Sequence, residues 1–267
     1  MKLGIILSIV PDPESAIRRV HDLGFPTCQV LVGETDPPTA RRLRAALERY
    51  GIEATSAVVS GPGPEVYDFY QGPLTIGLSP RQYRPERIVR FREVSDFATL
   101  AGIPAVQGHS GFIPENPHDP IYAETVDALR TVAQYCRVCS QKVLLETGQE
   151  TPITLVRTIR DVGLDNVGVN FDGANLVLYG KANPLDAFDL LAPYILGVHA
   201  KDGLYPTDPE KLGEETPIGQ GKVDFPALVS RLKKIGYQGA LTIEREIEGE
   251  QQTADILAAK AYLEQLL

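Results

Sequence analysis

The sequence predicts an α/β fold closed into a single (β/α)8 TIM barrel, and three observations carry that expectation. Short, β-rich apolar runs alternate with longer helical patterns eight times along the chain, the signature of βα units around a parallel sheet. The length of 267 residues lies near the roughly 250 typical of such a barrel. Residues able to ligate or move protons end four successive runs, and strand C-termini form the functional face of a closed barrel. One domain over residues 1–267 is therefore expected.

The first run, LGIILSIV after Lys2, is read as β1 (2–9). Pro11, Asp12 and Pro13 cut it short and no small-residue cleavage pattern follows, so it suits a buried strand better than a leader. The remaining strands are placed at β2 (27–32), β3 (53–59), β4 (104–108), β5 (142–146), β6 (167–172), β7 (195–199) and β8 (239–244). Helical patterns fill the gaps at 13–23, 38–50, 85–101, 118–140, 151–162, 184–192, 225–235 and 250–266. Gly24, Gly51, Gly102 and Gly163 stand just past helix ends, where a positive φ is easily adopted. A doubly wound open sheet is the alternative, and eight consecutive βα units favour closure. Residues 60–84 after β3 and 202–224 after β7 are too long for turns. Both would rise from the C-terminal face, as pocket walls or lids rather than plain surface excursions.

Composition narrows the function classes. A content of 43% hydrophobic residues supports one large core. With 26 basic against 35 acidic residues, the net charge of -9 argues against a nucleic acid or membrane-surface partner. No stretch approaches the ~20 apolar residues of a membrane span. Three cysteines, Cys28, Cys136 and Cys139, give no disulfide framework and fit a reducing compartment, read as the cytoplasm. Cys136 and Cys139 fall inside a helical pattern without a second pair, so packing is preferred to a zinc knuckle. His21 and His118 read as surface residues.

The chemistry rests on Glu146 in KVLLETG, Asp172 in VGVNFDG, His199 in ILGVHAKD and Glu244 in ALTIERE. A carboxylate at the end of an apolar run needs compensation, since burying it alone costs several kcal/mol or more. Salt bridges to Arg245 and Lys201 are one solution. One divalent metal is the preferred one, because an imidazole joins three carboxylates and the spacings 146 to 172 and 172 to 199 each match one βα repeat. One nitrogen and three oxygens suit Mn²⁺ or Mg²⁺ before Co²⁺ or Zn²⁺, and open coordination positions would take two adjacent substrate oxygens.

These four residues, with His199-Ala200-Lys201-Asp202, the stretch from Pro217 to Phe225 (PIGQGKVDF) and Thr242-Ile243-Glu244, resemble the sugar isomerase and epimerase superfamily of xylose isomerase-like barrels. The resemblance spans essentially the whole chain and is strongest from residue 142 onward, with ketose 3-epimerases and hydroxypyruvate isomerase closest in layout. It implies that Glu146 and Glu244 serve both as metal ligands and as acid/base groups. The chemistry agrees: a metal chelating a carbonyl and the adjacent hydroxyl stabilises the enediolate formed by proton loss. Two glutamates flanking the substrate can then exchange a proton across its faces, or one can shuttle it between carbons.

His109 in VQGHSG is expected at the same rim, either bonding a substrate hydroxyl or as a structural histidine. Asn175 stands where many family members carry histidine; its amide can bind a hydroxyl but cannot shuttle a proton. One of Lys201 and Asp202 faces inward by alternation, and both are candidate substrate-binding residues; Gln149 and Glu150 are further rim candidates. Gly219-Gln220-Gly221 could cradle a phosphate with help from Arg245, although the acidic balance favours an unphosphorylated substrate. The leading function is metal-dependent isomerisation or epimerisation of a ketose or related α-hydroxycarbonyl compound. The alternative is a lyase, a keto-inositol dehydratase or a 3-keto-glycoside β-eliminating enzyme. An endonuclease IV-like nuclease is remote, given only four histidines and the negative charge. The partners expected are a small carbohydrate substrate and, in a homo-oligomer, further copies of the chain.

Overall fold

The computed structural model describes residues 1–267. Eight parallel strands close into a barrel: β1 (Lys2–Ser8), β2 (Thr27–Leu31), β3 (Glu53–Val58), β4 (Ala105–His109), β5 (Lys142–Glu146), β6 (Val167–Asp172), β7 (Ile195–Ala200) and β8 (Ala240–Ile243). Each strand pairs with its neighbours in chain order, and β8 closes on β1 through Lys2 opposite Ala240 and Leu3 opposite Leu241. The expected strand limits hold to within one residue at each end. Apolar runs bounded by turn residues mark strands buried on both faces, which is what barrel strands are.

The outer helices are Pro13–Asp22, Pro37–Tyr50, Arg84–Ala101, Pro120–Val138, Pro152–Val162, Pro184–Leu191, Phe225–Lys234 and Glu250–Glu264. All but the last carry proline at their first or second position, where its missing N–H costs nothing. Side chains of Asp12, Asp36, Asp119, Asn183 and Asp224 accept from first-turn N–H groups, the N-cap bond worth about 1 kcal/mol each. One contiguous core joins these helices to the strands. Cys136 packs within it from the helix Pro120–Val138, and Cys139 lies just past that helix. No helix is long and apolar enough to cross a membrane.

Toward its C-terminal end the barrel interior turns polar. Gln29, Ser56, Gln107, Asn170 and Thr242 are all buried there, and Ser56 Oγ donates to Gln107 Oε1 (3.0 Å) while Gln29 Nε2 donates to Asn170 Oδ1 (3.3 Å).

Four elements go beyond the expected pattern, among them the 3-10 turn Ala192–Tyr194 before β7. A six-residue helix, Gly173–Leu178, follows β6 directly and is wholly buried. A short helix, Gly72–Thr75, forms within the loop after β3. The loop after β7 holds a small antiparallel ribbon pairing Asp202–Gly203 with Glu215–Thr216.

Candidate metal centre

Glu146 and Asp172 are the last residues of β5 and β6, His199 is the penultimate residue of β7, and Glu244 follows β8 directly. Strand register sets Asp172 beside His199, and the Glu244 N–H donates to the Ala200 carbonyl (3.1 Å). The four side chains therefore converge. His199 Nδ1 stands 3.2 Å from Glu244 Oε2, 3.3 Å from Glu146 Oε1 and 3.5 Å from Asp172 Oδ2. One ligand atom from each of the four residues can be chosen so that all lie within 4.8 Å of one another.

The hydrogen bonds beneath fix what His199 offers. Gln29 Oε1 lies 2.7 Å from His199 Nε2, and Gln29 is held in that orientation by its bond to Asn170. Nε2 therefore carries the hydrogen, and a neutral ring turns its Nδ1 lone pair toward the three carboxylates. Gln107 also approaches Nε2, but its amide donates to Glu146 Oε2 (3.1 Å) while its oxygen accepts from Ser56. Neither Nδ1 nor Asp172 Oδ2 has a hydrogen-bond partner. Four acceptors facing one point in a buried site require a cation.

A proton on Nδ1 is one such cation. Burial disfavours the charged ring, yet Glu146 and Glu244, with Asp172 behind them, raise His199 well above its ordinary value. A divalent ion is the other, and it would displace that proton. The donor set fits it: three carboxylates and an imidazole, with the second ring nitrogen tied to a side-chain carbonyl. Burial works to raise Glu146, but His199 and His109 bring it below its usual range. Burial opposes ionisation of Glu244 too, and Lys201 and His199 overcome it. Asp172 is raised, because burial dominates there.

The sequence of residues 17–266 matches the family described as Xylose isomerase-like TIM barrel. The chain belongs to that family. It is 34% identical to a xylose isomerase domain protein of Planctomyces limnophilus, whose crystal structure superposes with a TM-score of 0.94 over 99% of this chain and 96% of that one. It is 26% identical over 281 residues to the L-ribulose-5-phosphate 3-epimerase of Salmonella paratyphi C, covering 98% of this chain and 93% of the relative. The structure of a D-tagatose 3-epimerase-like protein shares the fold, with a TM-score of 0.78 at 21% identity over 100% of this chain and 97% of that one.

Within this xylose isomerase-like barrel the other rim residues divide into two groups. Asn175 and Lys201 join the four central residues. Asn175 Nδ2 donates to Glu146 Oε1 (3.0 Å), and Lys201 Nζ donates to Asn175 Oδ1 (3.2 Å) and Glu244 Oε2 (3.1 Å). Lys201 also pairs with Glu246 at 2.7 Å. An unbroken chain of bonds thus links Glu146 to Glu244. Asp172 also caps the helix Gly173–Leu178, its Oδ1 accepting the Asn175 N–H (2.8 Å). His109 lies level with Glu146 on the adjacent strand, its ring edge-on to Tyr67 at 5.7 Å.

Asp202 turns away from the mouth. Its Oδ1 accepts the N–H groups of Gly203 (2.9 Å) and Val223 (3.0 Å), and its Oδ2 those of Gly219 and Gly221 (both 2.9 Å). The glycine turn that could cradle a phosphate is thus filled by the chain's own carboxylate. Gly221 is required there, since a Cβ would fall 2.1 Å from Asp202 Oδ1. Arg245 is likewise engaged, by Glu215 (3.0 Å) and Asp255 (2.8 Å), and neutralises none of the four central residues.

Gln29 and Gln107 are not among the sequence-expected site residues. The two glutamines carried a signal, an amide interrupting the apolar runs TCQVLV and AVQGH, and a polar residue at an inward strand position needs a partner. A surface cleft of about 650 Å³ between Val32, Ser60, Val89 and Arg90 is lined by none of these residues.

Proposed function

We propose that the protein is a divalent-metal-dependent isomerase or epimerase of a ketose or related α-hydroxycarbonyl compound. The observation that carries the reading is His199 Nδ1, surrounded by the Glu146, Asp172 and Glu244 carboxylates while its Nε2 is tied to Gln29 Oε1. Glu146, Asp172, His199 and Glu244 would hold the ion, Mn²⁺ before Mg²⁺, Co²⁺ or Zn²⁺. When bound, the ion supplies the positive charge that makes proton loss beside a carbonyl accessible.

The remaining work belongs to the side chains. Glu146 and Glu244 stand at the two ends of the arc from β5 to β8, so a substrate between them meets a carboxylate on either side. One removes the proton and the other returns it, or a single glutamate moves it between carbons. Amides hold Glu146, from Gln107 at Oε2 and Asn175 at Oε1, whereas the Lys201 ammonium holds Glu244. Asn175 fills both its bonding roles inside the site and moves no proton. The relatives described as 3-epimerases support the same reaction class.

The test is exchange of substrate C–H for solvent deuterium across ketoses, keto-inositols and 3-keto-glycosides, with Mn²⁺ added and then chelated. Metal-dependent exchange is expected, and Glu146→Gln and Glu244→Gln should each lower it by about 10³-fold or more, at the upper end of acid/base contributions, with the fold intact. Near-normal exchange in either variant would sink the two-glutamate scheme. A lyase is the second reading, favoured by Glu150, a fully buried carboxyl pushed up to about 8 mainly by burial and so a proton donor at neutral pH; an eliminated product accompanying exchange would select it.

A further inference from the structure

Seven unpartnered buried polar atoms belong to residues at or just beyond the C-terminal ends of β4, β5 and β6. Gln149 has neither amide atom bonded and Glu150 neither carboxyl oxygen, while the hydroxyls of Tyr179 and Ser110 and the Nδ1 of His109 also lack partners. Gln149 is 1% exposed, Glu150 2% and Tyr179 5%. These residues end β4 or lie on the segments that follow β4, β5 and β6, and the segments touch. The Gln149 side chain and the Tyr179 hydroxyl are neighbours, and the Tyr179 ring meets Phe112 at 5.8 Å. Each unmet group costs about 1–3 kcal/mol, and folded chains keep few of them. Such a group of neighbours calls for a partner the chain does not contain.

We infer that this wall is a binding subsite for the neutral polyhydroxyl part of the substrate, with Gln149 and Tyr179 as specificity-determining contacts. The inference rests on the carbohydrate reading above and extends it to the part of the substrate away from the reacting carbons. The wall offers donors and acceptors together, as vicinal hydroxyls require. Charges that would select a phosphate are spent elsewhere: Lys201 on Glu244 and Glu246, Arg245 on Glu215 and Asp255, and the glycine turn on Asp202. The nearby cation Lys181 lies over the Phe112 ring at 5.5 Å. Aromatic side chains of the loop after β3 roof the wall, Tyr67 edge-on to His109 and Phe69 edge-on to Tyr179 at 6.4 Å, giving apolar contact beside a few placed polar groups.

Calorimetric titration of the Mn²⁺-supplemented protein with ribitol, galactitol and myo-inositol, and with ribitol 5-phosphate as the charged comparator, tests the subsite. At least one neutral polyol should bind, and Gln149→Leu and Tyr179→Phe should each weaken it about tenfold, the loss of one or two hydrogen bonds. Mn²⁺ binding, followed by EPR, should be unchanged in both variants. Melting temperatures should stay level or rise, because each change removes a polar group that no protein atom satisfies. No polyol binding, binding untouched by both substitutions, or a fall in melting temperature in both variants would overturn the subsite. So would binding of the phosphate ester alone, lost in Lys181→Met. Failure of the isomerase reading looks different: absent C–H exchange, with polyol binding and its loss in the variants intact.

Discussion

The two long loops at the barrel mouth are held by opposite charges. The loop after β7 is gathered around the carboxylate of Asp202, which accepts four backbone N–H groups. The loop after β3 is gathered around the buried guanidinium of Arg87, which donates to the carbonyls of Pro62 (3.1 Å), Pro64 (2.9 Å) and Gly77 (2.6 Å). Asp202 belongs to its own loop and follows His199 by three residues, so the anchor is continuous with the candidate metal site. Arg87 reaches in from the helix Arg84–Ala101, and its loop carries Tyr67, Phe69 and the exposed Tyr70. A close backbone fit also fastens that loop to the β4 side: Gly77 and Gly111 have positive φ, and a Cβ on Gly111 would fall 2.1 Å from the Ile76 carbonyl oxygen. One loop extends the framework of the candidate metal site, and the other covers it.

Asp202→Ala gives the largest expected effect. Leaving four N–H groups unmet should cost about 3–5 kcal/mol of stability, read by denaturant unfolding, and should weaken metal binding at least tenfold by loosening the end of β7. Arg87→Met is the counterpart. It should cost about 2–3 kcal/mol, raise KM through the displaced loop after β3, and leave metal affinity within about threefold. Equal losses of metal affinity in the two variants would erase the distinction between framework and cover.

Metal itself sharpens the comparison. At a free concentration of 100 Kd it should stabilise the native protein by about 2.7 kcal/mol, and hydrogen exchange should slow at the ends of β5 to β8 and in the loop after β7 more than in residues 60–84. Uniform protection of both loops would count against the division.

The smallest effect is in pH. The folded-state value of His199 is raised, so in metal-free protein its charge contributes stability that is fully present below the unfolded value of about 6.5 and is lost as pH rises through the folded value. Metal-free stability should therefore fall above about pH 6.5, by at most about 1.4 kcal/mol per unit. Apparent metal affinity should rise over the same range by up to about tenfold per unit, because the ion replaces the Nδ1 proton. Metal affinity independent of pH there would exclude that replacement.

Much of this was legible in the sequence because a barrel strand declares itself locally. Its run is mostly apolar, its end is marked by a turn, and Glu146, Asp172, His199 and Glu244 stand at those ends at βα spacing. The helix Gly173–Leu178 was not legible, since six residues buried on every side show no periodicity. Arg87 reads as one of several charges on a helix, and only burial separates it from its exposed neighbours. Alternation says that Lys201 and Asp202 point opposite ways without saying which enters the site. The residue pattern alone was enough to give the closed barrel, the four residues that meet at its mouth and the acidic character of that mouth. The tertiary structure alone decided that Asp202 fills the glycine turn, that Gln29 sets the His199 tautomer and that Asn175 and Lys201 bridge the two glutamates. Each of these is a bond between residues far apart in the chain, and its geometry comes into existence only when the barrel closes.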